Sequence, residues 1–256
     1  MTPYYEDGSV TIYHGEALDV LRQMDTASVD VVMTDPPYSS GGAFRSDRAK
    51  SPDQKYRGWS QDASGNSTKP TSEYGTFGGD NRDQRVHAEW VAMWSHHALR
   101  VTRPHGHGFY FSDWRQVPVT SDAIQMGGWV WQGMVVWDKG VGRPAKGRFR
   151  NHLEYILWAT HGALNRTDEY ASTLIRVPTV GHREREHITQ KPVELLAALF
   201  AVVGPVAGSV TLDPFMVSGS TLVAAKDAGC GAIGIEIEER YCEIAAKRCS
   251  QEVLAL

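Results

Sequence analysis

The chain is poor in cysteine. Its three, Cys230, Cys242 and Cys249, form no Cys-x-x-Cys pair and have no histidine at zinc spacing, which excludes a disulfide framework or a zinc site as the basis of the fold. Cys242 and Cys249 are seven residues apart and share a helix face, so buried reduced thiols are expected, as in a cytoplasmic protein. No run of about 18 uncharged apolar residues occurs, so no membrane span is expected. The start, Met1-Thr2-Pro3-Tyr4-Tyr5-Glu6-Asp7, has neither the basic nor the apolar part of a secretory signal. Internal repeats and low-complexity tracts are absent from the sequence. Net charge is only −4, which argues against nucleic-acid binding by bulk charge.

What is present is ordinary in amount and uneven in arrangement. With 256 residues, 41% hydrophobic and 22% charged, the chain can bury one sizeable core with a small appendage. Between Lys139 and Lys191 ten basic residues face five acids; from Pro192 to Leu256 eight acids face four bases. A basic middle beside an acidic end suits one face turned to a polyanion.

Hydrophobic spacing predicts helices over 16–24, 87–99, 192–203, 221–228 and 238–250. It predicts strands over 29–34, 108–112, 129–137, 155–160, 210–212 and 232–235. Strands alternating with helices imply an α/β fold with a largely parallel twisted sheet and crossover helices. Residues 39–85 read as a long polar loop in which Phe44, Tyr56, Trp59, Tyr74 and Phe77 alternate with Arg45, Arg48, Lys50, Lys55 and Arg57. Such a segment suits ordering on nucleic acid, or a loop with incidental aromatics.

Two constellations carry chemistry. Asp35-Pro36-Pro37-Tyr38 follows the strand 29–34. The carboxylate can accept a hydrogen bond from an exocyclic amino group, the prolines fix where backbone carbonyls point, and the tyrosine offers a face for a planar base. The second is Asp213-Pro214-Phe215-Met216-Val217-Ser218-Gly219-Ser220-Thr221, a small-residue turn between a strand and a helix, where a ligand can approach the backbone. Glu236 ends the next strand, where a ribose hydroxyl pair is usually held.

The first motif resembles the catalytic tetrad of DNA methyltransferases that act on adenine N6 or cytosine N4. The turn resembles their S-adenosylmethionine motif, Asp-Pro-Phe-x-Gly-Ser-Gly-(Ser/Thr)-Thr. His187-Ile188-Thr189-Gln190-Lys191-Pro192 is similar to the segment beside the methionine end of that cofactor, and Gly15-Glu16-Ala17-Leu18 to the one beside its adenine. Trp137-Asp138-Lys139-Gly140 and residues 150–160 also resemble the family. The tetrad precedes the cofactor motif, the circularly permuted order of the β group.

The resemblance implies a Rossmann-like methyltransferase fold in three parts: a catalytic part over 1–115, a target-recognition region over 116–186 and a cofactor-binding part over 187–256. It implies Asp35, Pro36, Pro37 and Tyr38 as catalytic residues. Glu16, Ala17, Asp35, His187, Thr189, Gln190, Lys191, Pro192, Asp213, Phe215, Ser218, Gly219, Ser220, Thr221 and Glu236 would hold S-adenosyl-L-methionine, and no metal is required. Lys139, Arg143, Lys146, Arg148 and Arg150 would contact double-stranded DNA. Site-specific methylation by base flipping follows, as a solitary methyltransferase or the modification half of a restriction–modification pair. A homodimer would suit a palindromic site. Adenine N6 is favoured, with cytosine N4 as the alternative. One departure stands out: Val217 occupies a position where the family pattern has glycine. A β-branched residue there is expected to strain the turn and weaken cofactor binding. A DNA-binding protein with impaired methyl transfer is therefore a further alternative.

Overall fold

Strand β3 (Val29–Thr34) forms the middle of the sheet: every residue but Asp30 is buried, on both faces, as a central parallel strand requires. The computed structural model describes residues 1–38, 60–61, 67–68, 82–140, 142, 146–147, 149–165, 168, 170–181, 190–203 and 207–250. They fall into two compact units, one made of residues 1–36 and 88–256, the other of residues 37–87.

The first unit is built on a nine-stranded sheet of order β1-β2-β11-β10-β3-β6-β8-β7-β9. Its strands are β1 (Tyr5–Glu6), β2 (Val10–His14), β3, β6 (Thr102–Ser112), β7 (Val130–Asp138), β8 (Leu153–Thr160), β9 (Leu174–Arg176), β10 (Val210–Asp213) and β11 (Gly231–Glu236). The run β2-β11-β10-β3-β6 is parallel throughout. Beyond it β8 is antiparallel to both β6 and β7, and β9 is parallel to β7. The sheet is thus mixed, with its parallel part at the centre. Residues 116–186, expected as a target-recognition region, supply three of these strands. In the second unit β4 (Ser60–Gln61) pairs antiparallel with β5 (Ser67–Thr68). The rest of the long loop expected over 39–85 is described only at residues 82–85.

Helix α1 (Ala17–Gln23) starts at Glu16, whose carboxylate accepts from the backbone N–H of Leu18 and Asp19 at 2.7 and 3.2 Å. Helix α2 (Gln84–Val101) lays Trp90, Val91, Trp94, Ala98 and Val101 into the core with Tyr110, Ile124 and Trp129. Helix α3 (Val117–Met126) was not expected from the sequence; proline at its start and β-branched residues along it hide its period. Helices α4 (Val193–Leu199), α5 (Ser220–Asp227) and α6 (Glu239–Ser250) complete the fold. The three cysteines are buried and free, with Cys242 and Cys249 both on α6. Among the described residues no helix is long and apolar enough to cross a membrane.

The expected turn before 108–112 is a bulge inside a longer strand. Thr102 pairs with Val29 and His107 with Val31, so residues 103–106 loop out opposite Asp30 alone. His105 takes φ +69°, and a Cβ on Gly106 would meet the Asp30 carbonyl oxygen at 2.6 Å.

Candidate active site

Parallel strands bring their carboxyl ends to one edge, and the chemistry of the chain collects there. The order along that edge is set by pairing. Glu16 follows β2, Glu236 ends β11, Asp213 ends β10 and Asp35 follows β3. The antiparallel β8 begins at the same edge, opposite the end of β7: Glu154 pairs with Trp137 and Leu153 with Asp138. Residues more than a hundred positions apart in sequence thereby meet.

Asp35 is held by a lysine. The Lys191 ammonium donates to Asp35 Oδ2 and lies 3.5 Å from Glu154 Oε2. On the far side Lys139 Nζ donates to Glu154 Oε1 at 3.1 Å. The Lys191 side chain is 8% exposed, and its ammonium stands 5.2 Å from the centre of the Phe111 ring. Burial opposes its charge, but Asp35 and Glu154 outweigh that and raise its pKa above the ordinary value. Burial also pushes against the charge on Glu154, and the two lysines outweigh it, so that carboxyl lies below its usual range.

The turn after β10 is held differently. Asp213 Oδ1 accepts from the Thr34 hydroxyl at 2.8 Å and from the Phe215 N–H at 3.0 Å, and Thr221 adds a hydroxyl. Thr34 thus ties the end of β3 to the end of β10. Burial pushes the Asp213 carboxyl up to about 6 against these donors. Glu236 Oε1 accepts from the Glu238 N–H at 2.8 Å and Oε2 from the Val217 N–H at 3.1 Å. Burial raises it to about 7, against the amides of Glu238, Val217 and Ile237.

Val217 has φ +46°, the left-handed region that a β-branched residue rarely enters. It occupies the first central position of a turn closed by the Gly219 N–H on the Met216 carbonyl at 2.8 Å. The expectation that a glycine position is filled by valine is met in the backbone itself. Gly219 is needed twice over. Its φ is +76°, and a Cβ there would meet the Ala245 Cβ on α6 at 2.8 Å. From α6, Arg248 Nη1 donates to the Ser218 carbonyl at 2.5 Å and lies 3.2 Å from the hydroxyls of both Ser218 and Ser220.

Several of the expected ligand contacts therefore have structural partners. Ser218 and Ser220 face Arg248, Thr221 faces Asp213, and the Glu16 carboxylate caps α1. Phe215 packs on Trp90 and Trp94, with ring centres 5.3 and 5.1 Å away. Ala17 is buried in the first turn of α1, and the Gly15 N–H before it donates to the Glu236 carbonyl at 2.9 Å. Gln190 and Lys191 lead into Pro192, which caps α4. Pro36 is buried behind Asp35, and Pro37 and Tyr38 begin the second unit. Lys146 and Arg150 are exposed, as the expected role on DNA requires, while the Lys139 ammonium is turned inward to Glu154. His187, Thr189, Arg143 and Arg148 lie outside the described residues. Glu154 and Arg248 were not foreseen, since neither belongs to a turn motif.

This architecture matches solved structures over nearly its whole length. The PvuII DNA methyltransferase (cytosine-N4-specific) aligns at a TM-score of 0.72 with 15% identity, over 99% of this chain and 90% of that one. The M1.HpyAVI–SAM complex aligns at 0.63 with 21% identity, over 94% of this chain and all of that one. At such identity the likeness establishes the fold, that of a Rossmann-like DNA methyltransferase. Two curated relatives are similar end to end. The Type II methyltransferase M.ScaI of Streptomyces caespitosus is 24% identical over 99% of this chain and 86% of its own length. M2.DpnII of Streptococcus pneumoniae is 24% identical over 98% of this chain and 93% of its own length. Residues 29–247 match the DNA methylase family of N6 and N4 methyltransferases, and the chain belongs to that family.

Proposed function

We propose that the chain methylates adenine N6 at a specific site in duplex DNA, with S-adenosyl-L-methionine as the methyl donor. The observation that carries this reading is the row Asp35, Asp213, Glu236 at the carboxyl ends of three adjacent strands, next to a turn of the kind that lets a ligand meet the backbone. The donor set fits the cofactor. Glu236 is a carboxylate at a strand end, and its three backbone donors leave acceptor capacity for a ribose hydroxyl among roughly four lone-pair sites. When bound, the cofactor supplies an electrophilic methyl group on a sulfonium. Glu236 would take the ribose, the 216–220 backbone would lie along the cofactor, and Gln190, Lys191 and Pro192 would border its methionine end.

Asp35 accepts a hydrogen bond from the adenine amino group, which turns the nitrogen lone pair toward the methyl carbon. A carbonyl of Pro36 or Pro37 accepts a hydrogen bond from the other amino hydrogen, and Tyr38 stacks on the base. These are effects of alignment and electrostatics. The base must leave the duplex to be reached, at a cost of a few kcal/mol. Exposed Lys146 and Arg150, with Arg143 and Arg148, hold the phosphates or read guanine edges. Either amino group fits this geometry; the choice of adenine rests on the family tendency for aspartate at the first tetrad position to accompany it more often than cytosine.

The test is direct. Purified protein is incubated with duplex DNA and methyl-labelled S-adenosylmethionine, and the DNA is digested to nucleosides. The expected label is N6-methyladenosine. Label in N4-methylcytidine overturns the base assignment and keeps the rest; no label overturns methyl transfer.

A further inference from the structure

Glu154 lies at the edge where β3, β10 and β11 end, although it belongs to the antiparallel strand β8. Both of its oxygens are engaged by ammonium groups, Lys139 at 3.1 Å and Lys191 at 3.5 Å. Lys191 is flanked in turn by Glu154 and Asp35, with the Phe111 ring beside it and Asp213 beyond Asp35. The result is a line of alternating charge, Lys139–Glu154–Lys191–Asp35, running from the end of β7 to the end of β3. Apolar residues of similar volume stabilise a core as well as such a buried line does, so stability alone gives no account of it.

We propose that Glu154 is a positioning residue for methyl transfer, holding the Lys191 ammonium and thereby fixing the carboxylate of Asp35. This rests on the reading of Asp35 given above. The ammonium sits directly on Asp35 Oδ2 and 3.5 Å from Glu154 Oε2; the second carboxylate on its other side limits how far the ammonium, and Asp35 with it, can move. Lys139 serves the same line. Its backbone N–H donates to the His152 carbonyl at 3.0 Å, which sets the end of β7 against the start of β8 and aims its side chain at Glu154. On this proposal Lys139 belongs to the support of the site.

The experiment compares wild type with Glu154→Gln, Lys191→Met and the double variant, using a duplex that the wild type methylates. The measurements are kcat, KM for DNA, the Kd of S-adenosylmethionine and the pH dependence of kcat. For Glu154→Gln we expect kcat to fall by as much as about 100-fold, the size of a small misplacement of a reacting group. KM and Kd should stay within about threefold. The basic limb of the kcat profile should move to lower pH, because burial then acts on Lys191 with one carboxylate fewer opposing it. The double variant should match Lys191→Met, and Glu154→Asp should recover part of the loss. If Glu154→Gln does not fold, Glu154→Asp carries the test, with a displaced basic limb expected and an unmoved one overturning the proposal. An active wild type beside a Glu154→Gln variant with unchanged kcat and profile overturns the proposal alone. So does a loss that only tracks thermal stability and adds to that of Lys191→Met. An inactive wild type overturns the reading of Asp35 and this proposal together.

Discussion

Asp35 and Glu236 end two strands of one sheet, separated only by β10, and they are held in opposite ways. Asp35 has a buried ammonium against it, itself shared with Glu154. Glu236 is wrapped by backbone amides from its own strand end and from the turn beside it, and burial lifts its pKa to about 7. A side-chain cation fixes a carboxylate from a distance and depends on other side chains for its own placement. Backbone amides come with the turn, so their geometry is fixed by whatever residue makes the turn possible. The two ends of the site are therefore sensitive to different changes: the Asp35 end to charge, the Glu236 end to backbone conformation.

The largest effect is expected at the Asp35 end. Asp35→Ala should reduce methyl transfer by roughly a thousandfold or more, within the range found when a group that touches the reacting atoms is removed. Lys191 keeps Glu154 as its partner, so the fold should persist. The Kd for S-adenosylmethionine should stay within a few-fold if the two ends are independent. A collapse of cofactor binding in Asp35→Ala, measured by titration calorimetry, would break the comparison.

A medium effect is expected at Glu236, with two opposite signs. A carboxyl whose folded pKa is raised from 4.5 to about 7 favours the protonated folded state. Its contribution to stability is complete below pH 4.5 and is lost as pH rises through about 7. The ligand-free protein should therefore lose part of its thermal stability between pH 5 and 8, and Glu236→Gln should lose less. Holding a ribose diol needs the ionised form, so cofactor affinity runs the other way. The Kd should weaken by about tenfold from pH 8 to pH 6, and Glu236→Gln should bind weakly with a flatter profile. A wild-type Kd independent of pH across that range would remove Glu236 from the ribose site.

How much of this was legible in the sequence follows the same division. The Glu236 end was readable because its parts are local: an apolar strand, a small-residue turn, a helix, and an acid at the next strand end. The tetrad at Asp35 was readable for the same reason. Its support was not. Glu154 is one acid at the start of an apolar strand, 15 residues from Lys139 and 37 from Lys191, and only the register of β7 on β8 and of β8 on β6 brings it to the edge. Arg248 is one basic residue in the last turn of α6, unremarkable until the helix packs against Gly219. The strand pattern predicted the parallel centre. It also predicted the strand over 155–160, though not that this strand, β8, runs antiparallel to its neighbours; the three-residue β9 escaped it, since β9 is defined by its pairing with β7 more than by its own composition.

The smallest expected effect is at Val217, and it sharpens the comparison most. A β-branched residue at φ +46° carries strain on the order of 1–3 kcal/mol, which Val217→Gly would release. Glycine also gains freedom in the unfolded chain, offsetting roughly 0.5–1 kcal/mol of that gain. The net expectation is about 1 kcal/mol of added stability, a rise of a few degrees in Tm by calorimetry. The Val217 N–H donates to Glu236, so a relaxed turn should also present both groups better and tighten the Kd for S-adenosylmethionine by a few-fold. Meanwhile kcat at saturating cofactor should not change, because the Asp35 end is set by charge and does not share this backbone. A change in kcat at saturation would mean that the two ends are coupled through the hydrogen bond from Thr34 to Asp213, which joins β3 to the cofactor turn. An unchanged or weaker Kd would mean that the valine side chain fills space the ligand needs filled, and that the turn has adapted to it.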